Sequence, residues 1–224
     1  LGGLVGSEMC IRDRLYHQLA PIYDLVSWVV SFGQWRSWQL AALPFIEGPD
    51  VLELAHGPGH MLIALQQAGY QVTGVDLSPQ MGRLAMQQIH TVGAAVSILQ
   101  APAQKLPIAS GSFKTVLATF PTEFIANRNS LHEIHRVLRK NGRLVIVPQA
   151  RLTGESAVVA LLEWLYRITG QRTVPQEGSE QNTKSSLFND MKGGFKEAGF
   201  SLHTERIPQR GSEVIVVIAV REDT

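Results

Sequence analysis

The sequence has 224 residues, of which 45% are hydrophobic, and a formal net charge of +1 at pH 7, a composition typical of one α/β domain with a sizeable core. This balanced charge gives no electrostatic argument for nucleic-acid binding, which favours a basic surface, and the single cysteine excludes a disulfide framework or a cysteine-rich zinc site. No apolar run approaches the ~18 residues of a membrane span, so we expect a soluble cytoplasmic protein without a membrane span.

The segment Leu1–Arg14 differs from the rest of the chain. Within it, GSEMCIRDR resembles the translation of a transposase adapter that is used to prepare sequencing libraries. We therefore interpret Leu1–Arg14 as a non-native leader fused to a metagenomic fragment, in which case Cys10 is not native. The alternative is an ordinary N-terminal segment.

Residues 15–48 carry a helical pattern of apolar positions that breaks near Pro21 and Gly33, which predicts N-terminal helices. From Asp50 onwards, short β-branched runs alternate with helical patterns. The predicted strands are Asp50–Leu54, Gln71–Asp76, Ala95–Gln100, Lys114–Thr119, Arg143–Pro148, Ser201–Pro208 and Glu213–Val220. The predicted helices are His60–Ala68, Pro79–Thr91, Ser130–Arg139 and Ser186–Ala198.

The order of these elements predicts the fold class. Alternating strands and helices indicate a mostly parallel sheet with helices on both faces. Only Gln209–Ser212 separates the last two strands, which is too short for a crossover, so they should form an antiparallel C-terminal hairpin. Residues 149–185 interrupt the pattern with an apolar helix, Glu155–Ile168, and a polar loop, Gly170–Lys184, and we expect this insertion to act as a lid. We interpret residues 15–224 as a single domain.

The stretch DVLELAHGPGHMLIAL, Asp50–Leu65, joins the first of these strands to a helix through a loop that contains Gly57 and Gly59. In such sheets ligands bind beyond the carboxyl ends of the strands, and glycines let a ligand approach the main chain. A dinucleotide site would need a third glycine where Leu62 stands. The acid before the loop, Glu53, would repel a diphosphate and favours a cationic ligand, for example one with a sulfonium and an ammonium group.

A second candidate binding residue lies in VTGVDLSPQM. Asp76 ends the next strand, where a carboxylate can accept hydrogen bonds from both hydroxyls of a ribose. Ser78 and Pro79 follow as the N-cap and the first residue of the next helix. The alternative for Asp76 alone is a solvated acid at a strand end, but together with the glycine loop it predicts a nucleoside site.

These stretches and two further ones resemble the motifs of class I S-adenosylmethionine-dependent methyltransferases. VLELAHGPGH resembles the first motif of that family, GVDLSPQM the second, AQKLPIASGSFKTVLATF the third and fourth, and LHEIHRVLRKNGRLVIV the helix and fifth strand. The resemblance covers Leu15 to Glu222. It implies a Rossmann-like, seven-stranded sheet, S-adenosyl-L-methionine as the cofactor and methyl transfer as the activity.

The resemblance also implies which residues contact the cofactor, partly through their main chain. They follow the ends of the predicted strands. The residues implied near the methionine part are Glu53, Ala55, His56, Gly57 and Gly59, and the residue near the ribose is Asp76. Those near the adenine are Leu77, Met81, Ala103 and Gln104, and those near the sulfonium are Thr119 and Phe120.

Three residues depart from the family's pattern. Ala55 replaces the first glycine of the loop, which is tolerated if its φ is negative. Pro102 replaces an aspartate that accepts a hydrogen bond from the adenine amino group in many relatives, and Gln104 is the candidate substitute. Lys114 replaces a common aspartate, which we expect to be a surface change.

No catalytic residue stands out in the sequence. Methyl transfer chiefly requires that the acceptor be aligned with an already activated methyl group, and a general base is needed only where the acceptor must lose a proton. The candidates are Glu123, which follows the fourth strand, and His56, beside the glycine loop. We predict no metal site.

The acceptor pocket is expected to come from outside the core sheet, where aromatic and apolar residues predict a small apolar or aromatic acceptor. The N-terminal helices also resemble those of quinone-ring and lipid methyltransferases. Two alternatives remain: a cofactor-binding methyltransferase-like protein without transfer activity, and a nicotinamide dehydrogenase, which Leu62 and the terminal hairpin disfavour. The sequence indicates neither the attacked atom nor the oligomeric state. The aromatic candidates in the N-terminal helices are Tyr16, Tyr23, Trp28, Trp35 and Trp38.

Overall fold

The computed structural model describes residues 34–152 and 193–222. Its helices are α1 (Trp35–Leu40), α2 (His60–Gln67), α3 (Pro79–Val92) and α4 (Arg128–Val137), with 3-10 helices at Leu43–Phe45 and Glu123–Ala126. Its strands are β1 (Asp50–Leu54), β2 (Gln71–Asp76), β3 (Ser97–Gln100), β4 (Phe113–Thr119), β5 (Leu138–Leu152), β6 (Phe200–Gln209) and β7 (Ser212–Arg221).

Several predicted segments lie outside the described residues. They are the leader, most of the N-terminal helices, the start of the helix predicted at Ser186–Ala198, and the insertion helix and loop, Glu155–Ile168 and Gly170–Lys184.

Seven strands form one sheet in the order β3-β2-β1-β4-β5-β7-β6. The first five strands in this order run parallel to one another. Strand β7 runs antiparallel to both β5 and β6. Gln209 pairs with Ser212, so only Arg210 and Gly211 form the turn, and Gly211 adopts a φ of 71° there. The predicted mostly parallel sheet with an antiparallel C-terminal hairpin is therefore confirmed.

Helices cover both faces of this sheet, as the sequence predicts. On one face α4 contributes the buried Leu131 and Ile134 to an apolar cluster. On the other face α1, α2 and α3 contribute Trp38, Leu62 and Ala85 to a second cluster. The central strands β1 and β4 are therefore buried on both sides, which is typical of parallel sheets.

Helix α4 begins at Arg128, two residues before the predicted start. The side chain of Asn127 accepts hydrogen bonds from the main-chain N–H groups of Asn129 and Ser130, at 2.9 and 3.4 Å. Asparagine is a favoured N-cap because it satisfies N–H groups that the first helical turn leaves without partners.

Strand β5 begins at Leu138, whereas the sequence predicted a helix to Arg139 and a strand from Arg143. The predicted helix stop, Lys140–Gly142, is wrong because these residues form an irregularity within β5, where the pairing with β4 shifts register. Asn141 has a φ of 53° in this bulge. The ammonium group of Lys114 donates to the carbonyl oxygen of Asn141 at 2.7 Å, so Lys114 supports the bulge and is only partly exposed.

Candidate functional site

The carboxyl ends of β1, β2 and β4 lie side by side at one edge of the sheet. Leu54 of β1 pairs with Val75 of β2, and Glu53 pairs with Leu117 of β4. Because these strands are parallel, the segments that follow them emerge at the same edge. The structure therefore brings together the glycine loop, Asp76 and the segment after β4, as the sequence predicts.

The loop after β1 is fixed by main-chain hydrogen bonds. The N–H of Ala55 donates to the carbonyl oxygen of Val75 at 2.7 Å, and the N–H of Gly59 donates to that of His56 at 3.1 Å. Positive φ angles of 53°, 54° and 88° occur at Ala55, Gly57 and Gly59. This backbone forms a tight turn from β1 into α2.

The positive φ at Ala55 corrects the expectation of a negative one. Left-handed backbone brings the Cβ of an alanine close to the following carbonyl group, which costs about 1–2 kcal/mol. The hydrogen bond to Val75 on the neighbouring strand holds the residue in this conformation. Ala55 is exposed, so its methyl group gains little packing that would offset the strain.

Gly57 and Gly59 serve different purposes in the loop. A Cβ added at Gly59 would lie 2.9 Å from the Cβ of Ala85, so this glycine allows the loop to pack closely on α3. A Cβ added at Gly57 would meet no atom of the described residues within 4 Å. The main chain at Gly57 is therefore open to the approach of a ligand.

Glu53 is a buried carboxyl group at the end of β1, with 1% of its surface exposed. Its Oε2 atom has no hydrogen-bond partner among the described residues. Burial, and then the negative charge of Asp76, raise the pKa of Glu53 well above 4.5. A buried carboxyl with an unfilled acceptor position fits a ligand that brings a positive charge to this point, because such a charge favours the ionised form.

Asp76 connects the loop to the start of α3. Its Oδ2 accepts the N–H of Gly57 at 2.9 Å, and its Oδ1 accepts the N–H of Ser78 at 2.8 Å. The Ser78 hydroxyl in turn accepts the N–H of Met81 at 3.4 Å, which caps α3 as predicted. Each carboxylate oxygen can accept a further hydrogen bond, so Asp76 fits two adjacent hydroxyl groups.

The imidazole of His56 lies beneath the loop and is 4% exposed. Its Nδ1 donates to the carbonyl oxygen of Gly57 at 2.7 Å, while its Cδ2 packs so closely on β2 that a Cβ at Gly74 would lie 2.8 Å from it. Burial lowers the pKa of His56, although Asp76 and backbone hydrogen bonds oppose this effect. The lowered pKa favours the neutral imidazole, which supports the loop through its bond to Gly57.

The residues expected near an adenine differ widely in exposure. Leu77, directly after Asp76, has 66% of its surface exposed, which is unusual for a large apolar side chain in this part of a sheet. Met81 is buried, Ala103 is half-buried and Gln104 is exposed. Leu77 therefore offers an uncovered apolar surface beside the Asp76 carboxylate.

The segment after β4 contacts α1, a relationship that the sequence did not predict. The Thr119 hydroxyl accepts a hydrogen bond from the Gln39 amide at 3.0 Å. The ring of Phe120 stacks on that of Trp35 with a centroid distance of 4.2 Å and an interplanar angle of 27°. Glu123 follows in a 3-10 helix, where it is exposed.

Membrane spans and metal sites can be assessed for residues 34–152 and 193–222. No helix there is long and apolar enough to cross a membrane. No group of three or more His, Cys, Asp or Glu residues in the same ranges is arranged to hold a metal ion.

Comparison with known proteins identifies the family of the chain. A sequence model of a family described as "Methyltransferase domain" matches residues 52–146. The ubiquinone/menaquinone biosynthesis C-methyltransferase UbiE of Geotalea uraniireducens is 31% identical over 144 residues, 60% of this chain and 61% of that protein. The UbiE protein of Syntrophotalea carbinolica is 31% identical over 170 residues, 73% of this chain and 70% of that protein.

A solved structure shares the same fold. The S-adenosylmethionine-dependent methyltransferase of Thermotoga maritima superposes with a TM-score of 0.59 at 19% identity, covering 94% of this chain and 99% of that one. The chain belongs to the class I S-adenosylmethionine-dependent methyltransferase family. S-adenosylmethionine is accordingly its cofactor, and the sheet is the Rossmann-like sheet of this family.

Proposed function

We propose that this protein transfers a methyl group from S-adenosylmethionine to a ring carbon of a quinol. The observation that carries the proposal is the edge shared by β1, β2 and β4. There, the buried carboxyl of Glu53, the carboxylate of Asp76 and the aromatic rings of Trp35 and Phe120 occur together. The two UbiE relatives, whose names specify quinone biosynthesis and C-methylation, support the choice of acceptor.

The cofactor is assigned to the loop and strand ends by chemical fit. We assign the ammonium group to Glu53, whose buried Oε2 has no partner among the described residues, and the ribose hydroxyls to Asp76. The remaining proposed contacts are the main chain of Ala55, His56, Gly57 and Gly59, the adenine-side residues Leu77, Met81, Ala103 and Gln104, and the sulfonium-side residues Thr119 and Phe120.

S-adenosylmethionine supplies, when bound, a methyl group made electrophilic by its sulfonium. The acceptor must therefore supply an electron pair. A quinone ring is electron-poor, whereas the reduced hydroquinone is electron-rich, so the quinol is the reactive acceptor. Its ring carbon forms a bond to the methyl group while the methyl–sulfur bond breaks, and the ring proton then leaves to a base.

Glu123 is the candidate base for that proton. It is exposed in the 3-10 helix that follows β4, and this segment emerges at the cofactor edge of the sheet. His56 is a weaker candidate because its imidazole is buried beneath the loop against Gly74. The protein otherwise acts mainly by proximity and orientation.

The proposal is tested with the purified chain, S-adenosylmethionine labelled in its methyl group, and a short-chain demethylated naphthoquinol kept reduced under anaerobic conditions. We expect label in a product that is one methylene heavier, with a new carbon-bound methyl group by NMR. The same compound in its oxidised form is the control and should accept no label. Cofactor binding without labelling of the quinol would refute the proposed acceptor.

A further inference from the structure

The stacked side chains of Trp35 and Phe120, called here the aromatic wall, join α1 to the end of β4. Their ring centroids lie 4.2 Å apart at an interplanar angle of 27°. Both side chains are half-buried. The pair lies at the edge of the sheet where the proposed cofactor-binding segments emerge.

Phe120 is held in an unusual backbone conformation. Its φ is 49°, and it precedes Pro121, a position where residues normally adopt extended backbone. Its N–H donates to the carbonyl oxygen of Val147 on β5 at 2.7 Å. Strain of this kind in a bulky residue persists only where the surroundings enforce it, and it is concentrated at functional sites.

Helix α1 is fixed to the sheet by polar contacts that do not involve the wall. The indole N–H of Trp38 donates to the Ser212 hydroxyl at 2.9 Å, and the Gln209 amide donates to the carbonyl oxygen of Ser37 at 2.9 Å. Trp38 is buried, with 6% of its surface exposed. The two tryptophans of α1 therefore differ: Trp38 anchors the helix in the core, while Trp35 remains half-exposed against Phe120.

The wall lies at the edge from which the methyl group is delivered. Phe120 directly follows β4, whose Leu117 pairs with Glu53 at the end of β1. Aromatic rings prefer offset stacking on one another, so a planar ring gains more from this surface than an aliphatic chain or an amine does. We propose that the acceptor ring stacks on the aromatic wall and that Trp35 determines the preference for a planar aromatic acceptor; this inference rests on the proposed function.

Kinetics of matched variants test this role. Trp35→Leu and Phe120→Leu should each raise the KM for the short-chain naphthoquinol about five- to tenfold. Trp35→Leu should change the calorimetric Kd for S-adenosylmethionine less than about twofold, whereas Phe120→Leu should also weaken cofactor binding because Phe120 is a proposed sulfonium-side contact. Trp35→Phe should have a KM much closer to that of the wild type than Trp35→Leu has, because phenylalanine keeps a flat ring. Tyr70→Leu is the control. It makes the same type of change directly before the amino end of β2, whereas the site lies at the carboxyl end, and it should leave KM unchanged. An unchanged KM in both wall variants, with the fold intact by circular dichroism, would overturn the inference.

A second measurement separates failure of the wall from failure of the proposed function. If the wild-type chain methylates no quinol, the proposed function is refuted, and binding of oxidised 2-methylnaphthoquinone then tests the wall by itself. This quinone should quench tryptophan fluorescence, and Trp35→Phe should remove most of the quenching while Trp38→Phe should not. Equal quenching in the wild type and in Trp35→Phe would place the ring elsewhere and overturn the inference.

Discussion

The main-chain N–H of Gly57 donates to Oδ2 of Asp76 over 2.9 Å, so the loop after β1 and the end of β2 hold each other in place. The second carboxylate oxygen performs a similar task at α3 by accepting the N–H of Ser78. Asp76 therefore organises the site before any ligand arrives. Its loss is expected to affect both the geometry of the loop and the hydrogen bonds to the ribose.

Asp76→Ala should weaken S-adenosylmethionine binding at least about tenfold, because hydrogen bonds to a charged group contribute roughly 1.5–3 kcal/mol each. Isothermal titration calorimetry measures the change directly. Glu205→Gln, which removes a carboxylate from the distant strand β6, is the control and should bind normally. A wild-type Kd in a folded Asp76→Ala protein would exclude the ribose assignment.

The bounds of strands that are buried on both faces were predicted from the sequence more accurately than the position of irregular backbone. The predicted bounds of β1 and β2 agree with the structure, because short apolar runs between glycines and acids leave few alternatives. The start of β5 was wrong because the bulge around Asn141 depends on pairing with β4, which no local pattern encodes.

The candidate site shows the same division. Glu53 and Asp76 could be selected from the sequence because charged residues at strand ends are visible in it. The positive φ of Ala55 could not, since it depends on a hydrogen bond to Val75 on another strand. The stack of Trp35 on Phe120 joins residues far apart in sequence, so only the packing of α1 on the sheet creates it. The cofactor contacts remain predictions.

Ala55→Gly should stabilise the protein slightly. It removes left-handed strain of about 1–2 kcal/mol, while the greater backbone freedom of glycine in the unfolded chain offsets about 0.5–1 kcal/mol. We expect a net gain of about 0.5 kcal/mol in the free energy of unfolding, measured in urea, without weaker cofactor binding. Ala64→Gly within α2 is the matched control and should lose about 1 kcal/mol; a similar loss at Ala55 would contradict the strained backbone.

Glu53→Gln should change how stability depends on pH. A glutamate ordinarily ionises near pH 4.5, and burial followed by the charge of Asp76 raises the pKa of Glu53 well above that. Below about pH 4.5 the folded and unfolded chains both hold the proton, so ionisation of Glu53 does not reduce the free energy of unfolding. As the pH rises from there through the folded pKa, the unfolded chain releases the proton first, and the free energy of unfolding of the ligand-free protein falls.

Because glutamine remains neutral, Glu53→Gln should melt higher than the wild type at about pH 8, and the gap should narrow towards pH 5. In the wild type, a cationic ligand favours ionised Glu53, so cofactor affinity should rise with pH over the same window. A gap in Tm that is independent of pH would show that Glu53 does not titrate within it.

Glu123→Gln should separate catalysis from binding. If Glu123 accepts the ring proton, its amide replacement should lower kcat about 10²–10⁴-fold while the Kd for S-adenosylmethionine stays near that of the wild type. Single-turnover labelling of the naphthoquinol measures the chemical step. Glu197→Gln, an exposed acid that pairs with Arg128, is the control. Equal rates for Glu123→Gln and the wild type would exclude Glu123 as the base.

Gly74→Ala and Gly82→Ala form a matched pair that tests how the glycine loop is supported. A Cβ at Gly74 would lie 2.8 Å from Cδ2 of His56 and 2.9 Å from Cδ1 of Leu62, whereas one at Gly82 would meet no described atom within 4 Å. Overpacking at Gly74 should cost about 1–3 kcal/mol and should weaken cofactor binding, since His56 carries the loop through its bond to Gly57.

Gly82 lies within α3, where alanine is favoured over glycine by about 0.5–1 kcal/mol, so this variant should gain stability. Urea unfolding gives both free energies, and calorimetry gives the affinity of each folded variant for S-adenosylmethionine. Because the chemical change is the same at both positions, opposite signs of the stability change isolate the contact with His56 and Leu62. If Gly74→Ala unfolded like the wild type and bound the cofactor equally well, the buried imidazole would not be what positions the loop.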